Sequence, residues 1–578
     1  MMPVSELQES TRLAGEPAEP IAPVASANDA RLLKRLRRGF LVTAVALGGL
    51  QYWAHRHTIY PDGLSYLEIA QAYLAGDWAN AINAYWSPLY SWILALALWL
   101  LRPGAYWEFA VVHGVDFALY VCAVVAFDFF LRRFAAEQGS PGPAPAAWVW
   151  RLFGYCLFLW AMIALPLPAA TTPDILVAAL SFWAAGLLVR VGDAGASVWR
   201  HGLLGLALGL GYLAKAAMLP IAAAVLAAML WMARRSRERL GLGAVAVATF
   251  ALVVTPFAVA LSLTKGRITF GDAGALNYAW YVNRVPGMHV HWQGDSERVA
   301  AHPTRLISES PRIFEYAEPV AGTYPPWYDP SYWNEGLTPR FDLVQQLQAV
   351  YEGLQVYWDL LLPFVVVFLG LAYALGPIRT VRALRHNGII TLFGAASLLL
   401  YLLVRVEPRF IMASLPLLFL GSFGALRAQR WASPRVLDGM LLALGAVALA
   451  AVVPVSVESL QKAVHGEGHV SWEVAEAVRA AGVREGERIA VVGRGTHAYW
   501  AHLARVKIVA EVEQSDQDLF WSDADAQRRA LQRLREVGAR AVIGVPPRRD
   551  GTLGEWQPLT AGYALLRLDG HEGLQEAP

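Results

Sequence analysis

IYPDGLSYLEIAQAYLAGDWANAINAYWSPLY, residues 59–90, is the stretch around which the rest of the chain is organised. It lies between two apolar segments, near 38–54 and 87–102, yet carries Asp62, Tyr66, Glu68 and Asp77. An aromatic run with a proline, Tyr85-Trp86-Ser87-Pro88-Leu89-Tyr90, closes it. A carboxylate-bearing loop directly after a first membrane span sets ionisable groups at the water–lipid boundary. Charge is expensive at that depth, so its presence points to function.

The composition fixes the membrane reading. Of 578 residues, 56% are hydrophobic and 16% charged, against about 25% charged in an ordinary soluble domain. Apolar segments fall near 38–54, 87–102, 107–131, 146–167, 175–191, 202–214, 217–233, 243–264, 356–376, 388–404, 409–427 and 436–455. They predict a polytopic α-helical membrane protein with about 11–13 transmembrane helices. Basic clusters at 34–38, 234–239, 379–385 and 427–435 mark the cytoplasmic side. Loops 56–86 and 265–355 then face away from the cytoplasm, as does the tail 456–578. The net charge of +2, with Lys and Arg clustered by topology, gives no sign of a nucleic-acid partner.

Residues 1–30, rich in Ala, Pro and Glu, read as a disordered cytoplasmic N-terminus. The basic run 31–38 leads into a span and not into a cleavable signal. Residues 31–455 form the membrane domain. In the tail, strand-like runs at 488–492, 506–512 and 541–545 alternate with helical patterns at 472–482 and 524–537. That rhythm predicts a small α/β domain.

Parity does not close in the front half. Loop 56–86 and the turn at Asp174 are both expected outside, but three apolar segments separate them. One of 87–102, 107–131 or 146–167 must be re-entrant, partial or merged with a neighbour. Arg132-Arg133 argue that 107–131 ends inside, which makes 87–102 the suspect. Loop 265–355 carries Gly322-Thr323-Tyr324-Pro325-Pro326-Trp327-Tyr328-Asp329-Pro330-Ser331-Tyr332-Trp333. So many aromatics predict an ordered lid on the membrane surface, with rings able to stack on sugars.

Asp62, between Pro61 and Gly63, can take the proton of an attacking hydroxyl; the plainer reading is a helix N-cap. Glu68 follows on a short amphipathic helix and reads equally as a solvated face. In Thr171-Thr172-Pro173-Asp174, the proline suits a first helical turn and Thr172 a cap, while Asp174 is set to orient a substrate. Lys215 interrupts an apolar stretch, where a phosphate is a fitting partner and snorkelling the plain alternative. Arg405, Glu407 and Arg409 form an external mini-loop around Pro408. The guanidinium fork of Arg409 suits an oxyanion; an Arg–Glu407 pair tightening the loop is the alternative.

Other features carry less. Gly493-Arg494-Gly495-Thr496-His497-Ala498 formally fits a dinucleotide fingerprint, but its external position and short following helix favour a tight strand-to-helix turn. His289, His291 and His302 lack metal-ligand spacing, and Cys122 and Cys156 lie in apolar segments and read as packing residues. No metal site and no cofactor are expected.

Asp62, the Trp86-Ser87-Pro88-Leu89-Tyr90 run, Thr172-Pro173-Asp174, Leu213-Ala214-Lys215 and Glu407-Pro408-Arg409-Phe410 recur in an order that resembles the GT-C superfamily of integral-membrane glycosyltransferases. The resemblance is to the bacterial protein O-mannosyltransferase and aminoarabinose-transferase branch and covers roughly residues 38–455. It implies an inverting transferase in the bacterial inner membrane, working at the periplasmic face with a polyprenyl-phosphate sugar as donor. The acceptor would be a lipid, glycan or protein hydroxyl. The family's general base falls on Asp62, its second-loop acid on Asp174 and its phosphate-binding cation on Arg409. Lys215, Glu68, Trp86, Tyr90 and Glu407 are the expected substrate-binding residues. A flippase of a lipid-linked glycan and a non-catalytic membrane scaffold are the rival readings. Convergence of Asp62, Asp174 and Arg409 on one cavity separates the transferase from both.

Overall fold

The structure, a computed structural model, describes residues 27–137, 146–166, 170–189, 197–285, 305–316, 322–327, 337–386, 388–429, 431, 433–466, 468–547 and 554–569. His289, His291 and His302 lie outside the described residues, as do residues 1–26 of the N-terminus expected to be disordered.

The front of the chain forms α1 (Ala27–Ala54), α2 (Pro61–Ala75), α3 (Trp78–Ala81), α4 (Pro88–Leu101), α5 (Glu108–Glu137), α6 (Ala147–Leu159) and α7 (Asp174–Leu188). Next come α8 (Val198–Ala214), α9 (Met218–Ala233), α10 (Arg237–Lys265) and α11 (Ala273–Tyr281). Strands β1 (Arg305–Glu309) and β2 (Arg312–Glu315) precede α12 (Leu343–Leu375), α13 (Pro377–His386) and α14 (Gly388–Leu402). The membrane part closes with α15 (Pro408–Ile411), α16 (Ser414–Arg427) and α17 (Pro434–His465). Helix α1 begins at Ala27, so residues 27–30 are helical and not part of an unstructured terminus. The boundary expected at 455 falls inside α17.

Among the described residues, five helices are long and apolar enough to cross a membrane, or six if the bent pair at Pro377–Arg385 and Gly388–Leu402 is one span. Helices α4, α7, α9 and α16 are apolar but shorter. Helix α4 has 14 residues, about 21 Å at 1.5 Å per residue, against a hydrocarbon core of about 30 Å. Ser87, before its first residue, lines a cavity with Asp62. Beyond its last residue, a turn at Ala105–Trp107 leads to Glu108, which is bonded to His502 and Arg505. Both ends of α4 therefore lie toward the C-terminal domain. Segment 87–102, the suspect of the parity count, is thus a short apolar helix and not one of the helices long enough to span.

On the side of the basic run, Arg37 and Arg132 both hold the buried Asp128, at 2.9 and 3.0 Å, and the Tyr155 hydroxyl donates to it at 3.1 Å. One carboxylate thereby joins α1, α5 and α6. Helices α8 and α10 approach closely because Gly205 has no side chain: a Cβ there would stand 2.2 Å from the Ala246 carbonyl oxygen. Small residues serve such helix contacts.

The tail holds α18 (Val470–Ala480), β3 (Arg488–Val492), α19 (Tyr499–Ala504), β4 (Lys507–Val512), α20 (Gln517–Ser522), α21 (Ala524–Glu536), β5 (Ala541–Gly544), β6 (Gln557–Pro558) and β7 (Ala564–Arg567). Strands β3, β4 and β5 pair in parallel and are almost wholly buried, as parallel strands covered on both faces must be. The sheet order is β1-β2-β4-β3-β5-β7-β6. Its β1-β2 hairpin comes from loop 265–355, with β2 antiparallel to β4. The loop is thus a structural part of the domain. Tyr324 and Trp327 are fully buried in the core, so this part of the aromatic stretch is no surface lid. Positions 328–333 of that stretch lie outside the described residues.

Gly205→Ala should destabilise the protein by about 1–3 kcal/mol through overpacking. Gly241→Ala, where nothing lies within 4 Å of the new Cβ, should be neutral or stabilise by up to about 1 kcal/mol. The midpoint of thermal unfolding in detergent separates the two.

Candidate active site

Helix α2 starts at Pro61, whose fixed φ suits the first helical position. Asp62 is therefore inside the first turn and is not the cap. Its carboxylate accepts from Arg409 Nη2 at 3.1 Å. Arg409 reaches it from the four-residue α15, set by Pro408 at that helix's start. The same guanidinium donates from Nε to Glu407 at 2.9 Å and places Nη1 3.9 Å from Asp174. Glu407 also pairs with Arg405 Nε at 2.9 Å.

Asp174 is the first residue of α7 and follows Pro173 at the cap position. Thr172 does not cap the helix; its hydroxyl donates to Asp174 at 2.8 Å. Lys215 donates to the other carboxylate oxygen at 2.6 Å. Lys215 stands at the break between α8 and α9, in extended backbone, and not within a span. Its ammonium rests 3.7 Å from the centre of the Phe410 ring, a cation–π contact. Three carboxylates and three cations thus meet at the ends of five short or interrupted elements.

They share one cavity of about 1220 Å³, to which Asp62, Asp174, Lys215, Glu407 and Arg409 all contribute. Burial in its wall raises the Asp62 carboxyl above its ordinary value, and Arg409 only partly offsets this. Asp62 is consequently a stronger base than an exposed aspartate.

Glycine 63 brings the two acids together. A Cβ on it would sit 1.7 Å from Thr171 Oγ1 and 2.7 Å from the Thr171 carbonyl oxygen. Only glycine lets α2 lie against the segment leading into Asp174. The signal was present in the sequence as the Asp62-Gly63 pair.

Of the other expected substrate residues, Trp86 lines the cavity. Its indole N–H donates to the Trp327 carbonyl at 3.1 Å, and Trp327 donates to the Thr496 carbonyl at 3.3 Å. Tyr90 does not face the cavity; it is fully buried, with its hydroxyl on Asp116 at 2.7 Å. Glu68 does not face it either, and points instead to the Thr323 amide and His502. It is buried, so the solvated-face alternative fails too.

The cavity extends across to the C-terminal domain, where Arg494, Thr496 and His497 line it. The glycines of that loop answer to packing. Gly493 has a φ of +103°, and a Cβ on Gly495 would stand 2.4 Å from Glu511. The following helix α19 has only six residues. A tight strand-to-helix turn is the reading that stands, but its place in the cavity wall was invisible in sequence.

No family model and no curated protein matches the sequence. Among solved structures, ArnT from Cupriavidus metallidurans bound to undecaprenyl phosphate aligns over 93% of this chain and 99% of its own, with 15% identity and a TM-score of 0.53. Its apo state aligns over 92% and 98%, again at 15% identity, with a TM-score of 0.50. The chain has the GT-C fold. At this identity the likeness concerns the architecture, and the GT-C fold spans both the membrane part and the C-terminal domain.

Gly63→Ala should push α2 away from Thr171 and separate Asp62 from Asp174. A misplacement of about 1 Å can cost on the order of 100-fold in turnover. A loss of that size in a variant that still elutes as a single folded species is the expected result; unchanged turnover counts against the close approach.

Proposed function

We propose that the protein is a glycosyltransferase that moves a sugar from a polyprenyl-phosphate donor to an acceptor hydroxyl at the external membrane face. The observation that carries this reading is the convergence of Asp62, Asp174 and Arg409, with Lys215, on one cavity. A flippase or a scaffold has no need of that arrangement. The GT-C fold supports the same reading, and the ArnT structure that shares it was solved bound to undecaprenyl phosphate.

In the proposed reaction the acceptor oxygen attacks the anomeric carbon from the face opposite the phosphate, so the configuration inverts. The new C–O bond forms as the bond from carbon to phosphate oxygen breaks. Asp62 takes the acceptor proton, and the polyprenyl phosphate leaves with one further negative charge. Arg409 and Lys215, cations held in place before the reaction, stabilise that charge. An ammonium has three N–H donors, and the bond to Asp174 uses one. Protonation of Asp62 also weakens its hold on Arg409 at the moment the leaving phosphate gains charge. Asp174 orients Lys215 and, through it, the donor. With two cations so placed, none of these steps calls for a metal ion.

Asp62→Asn should lower turnover by about 10²- to 10⁴-fold while leaving folding and polyprenyl-phosphate binding intact. The assay is incubation with a panel of radiolabelled polyprenyl-phosphate sugars, followed by tracing of the labelled product. Wild-type-like turnover in this variant overturns the base assignment.

The sign of the pH dependence follows from Asp62. The base works ionised, so activity is present above its raised value and falls as pH drops through it. Arg409→Gln removes the group that lowers the Asp62 carboxyl. Its residual activity should show the acid limb moved to higher pH; an unmoved limb would separate that limb from Asp62.

A further inference from the structure

One buried ionisable cluster takes no part in the proposed chemistry. Helix α2 carries Asp62 in its first turn and Glu68 six residues on, about 9 Å along the axis and about 120° around it. Glu68 therefore faces away from the cavity, into the contact with the C-terminal domain. Its Oε1 lies 2.9 Å from His502 Nδ1 of α19. On the other side of the ring, His502 Nε2 lies 3.0 Å from Glu108 Oε2, at the start of α5. His502 is 1% exposed.

Each carboxylate also accepts from another donor. The Thr323 backbone N–H donates to both Glu68 oxygens, at 3.3 and 3.2 Å. The Arg505 guanidinium holds Glu108 and places its Nη1 3.3 Å from His502 Nε2. An ionised carboxylate only accepts, whereas a neutral imidazole has a single N–H. Two carboxylate contacts on opposite ring nitrogens are both satisfied only by an imidazolium. Breaking such a buried set leaves uncompensated charge, which is strongly unfavourable.

We propose that His502 is a positioning residue: as an imidazolium shared by Glu68 and Glu108, it clasps the helix that carries Asp62 to the C-terminal domain, and it releases that helix at alkaline pH. The charged groups that face the ring are Glu68 from α2, Glu108 from α5 and Arg505 from the end of α19. The first two favour the proton; Arg505 opposes it, but its charge is matched by Glu108. Burial pulls the imidazole down, and its bonds to Glu108 and Glu68 more than reverse this, leaving it above its ordinary value. A histidine raised on folding contributes stability that is fully present below its unfolded value. That stability is lost as pH rises through the raised value. The clasp is closed in acid and neutral conditions and opens on the alkaline side.

The kinetic consequence rests on the transferase reading; the clasp itself does not. The test therefore has two readouts on the full-length protein in detergent. One is hydrogen exchange of the α2 backbone amides, corrected for intrinsic pH dependence. The other is the pH profile of sugar transfer. In the wild type, α2 exchange should rise and turnover fall over the same alkaline interval. Glu68→Gln keeps an acceptor oxygen and removes one charge, so both limbs should move to lower pH by about one unit. His502→Gln should show fast α2 exchange at every pH; where it fails to fold, Glu68→Gln decides alone. Wild-type α2 exchange that is flat with pH, or limbs that Glu68→Gln does not move, overturns the clasp. A shifted exchange limb with no sugar transfer in any variant supports the clasp and overturns the transferase reading.

Discussion

A guanidinium placed deep in a protein wall has to be compensated, and the site is built around that requirement. Arg409 has a side chain only 10% exposed. It is tolerated because Asp62, Asp174 and Glu407 surround it. Each partner stands at the start of a separate element, α2, α7 and α15, where the backbone is exposed enough to offer a side chain and rigid enough to aim it. The cation therefore fixes how three stretches far apart in sequence meet. Lys215 extends the set by neutralising the second oxygen of Asp174. Charge balance here shapes the cavity before any substrate enters it.

Helix α2 gains its precision from being held on more than one face. Toward the cavity it offers Asp62; toward α7 it offers the bare backbone of Gly63; toward the C-terminal domain it offers Glu68. The Thr323 carbonyl accepts from the Ile508 amide of β4 at 2.8 Å, while its own amide donates to Glu68. The aromatic stretch around Trp327 is thus mortar between the sheet and α2. That explains why rings expected at a lipid surface are found fully buried. Aromatic side chains carrying a polar edge suit either place, and only tertiary context chooses between them.

Much of the site was legible in the sequence for one physical reason. Charge is so costly near a bilayer that isolated acids and bases there stand out, and Asp62, Asp174, Lys215 and Arg409 all meet in the cavity. The parity deficit made α4 the suspect, and α4 is too short to rank among the helices long enough to span. The same logic misassigned Glu68 and Tyr90. Both lie in the informative stretch, but a helix distributes neighbours around its axis, and sequence proximity does not tell which face meets the cavity. The β1-β2 hairpin and the cavity-lining turn at Gly493 depend on contacts across hundreds of residues. No local period announces such contacts. Crossings were also hard to count, since apolar helices of 14 to 17 residues look alike whether they span, dip or lie flat.

The C-terminal domain is more than an appendage in this arrangement. Its sheet is completed by a hairpin from the loop between α11 and α12. Its α19 supplies His502 to α2, the residue just past that helix supplies Arg505 to α5, and its β3 turn closes one wall of the cavity. A domain attached only through the end of α17 would be free to swing. This one is anchored through charged contacts to two helices of the membrane part, with His502, Glu68 and Glu108 buried. The position of Asp62 and the closure of the cavity are therefore set by the same few bonds. A change that loosens the domain should be felt first at the helix that carries Asp62, well before the bundle itself is disturbed.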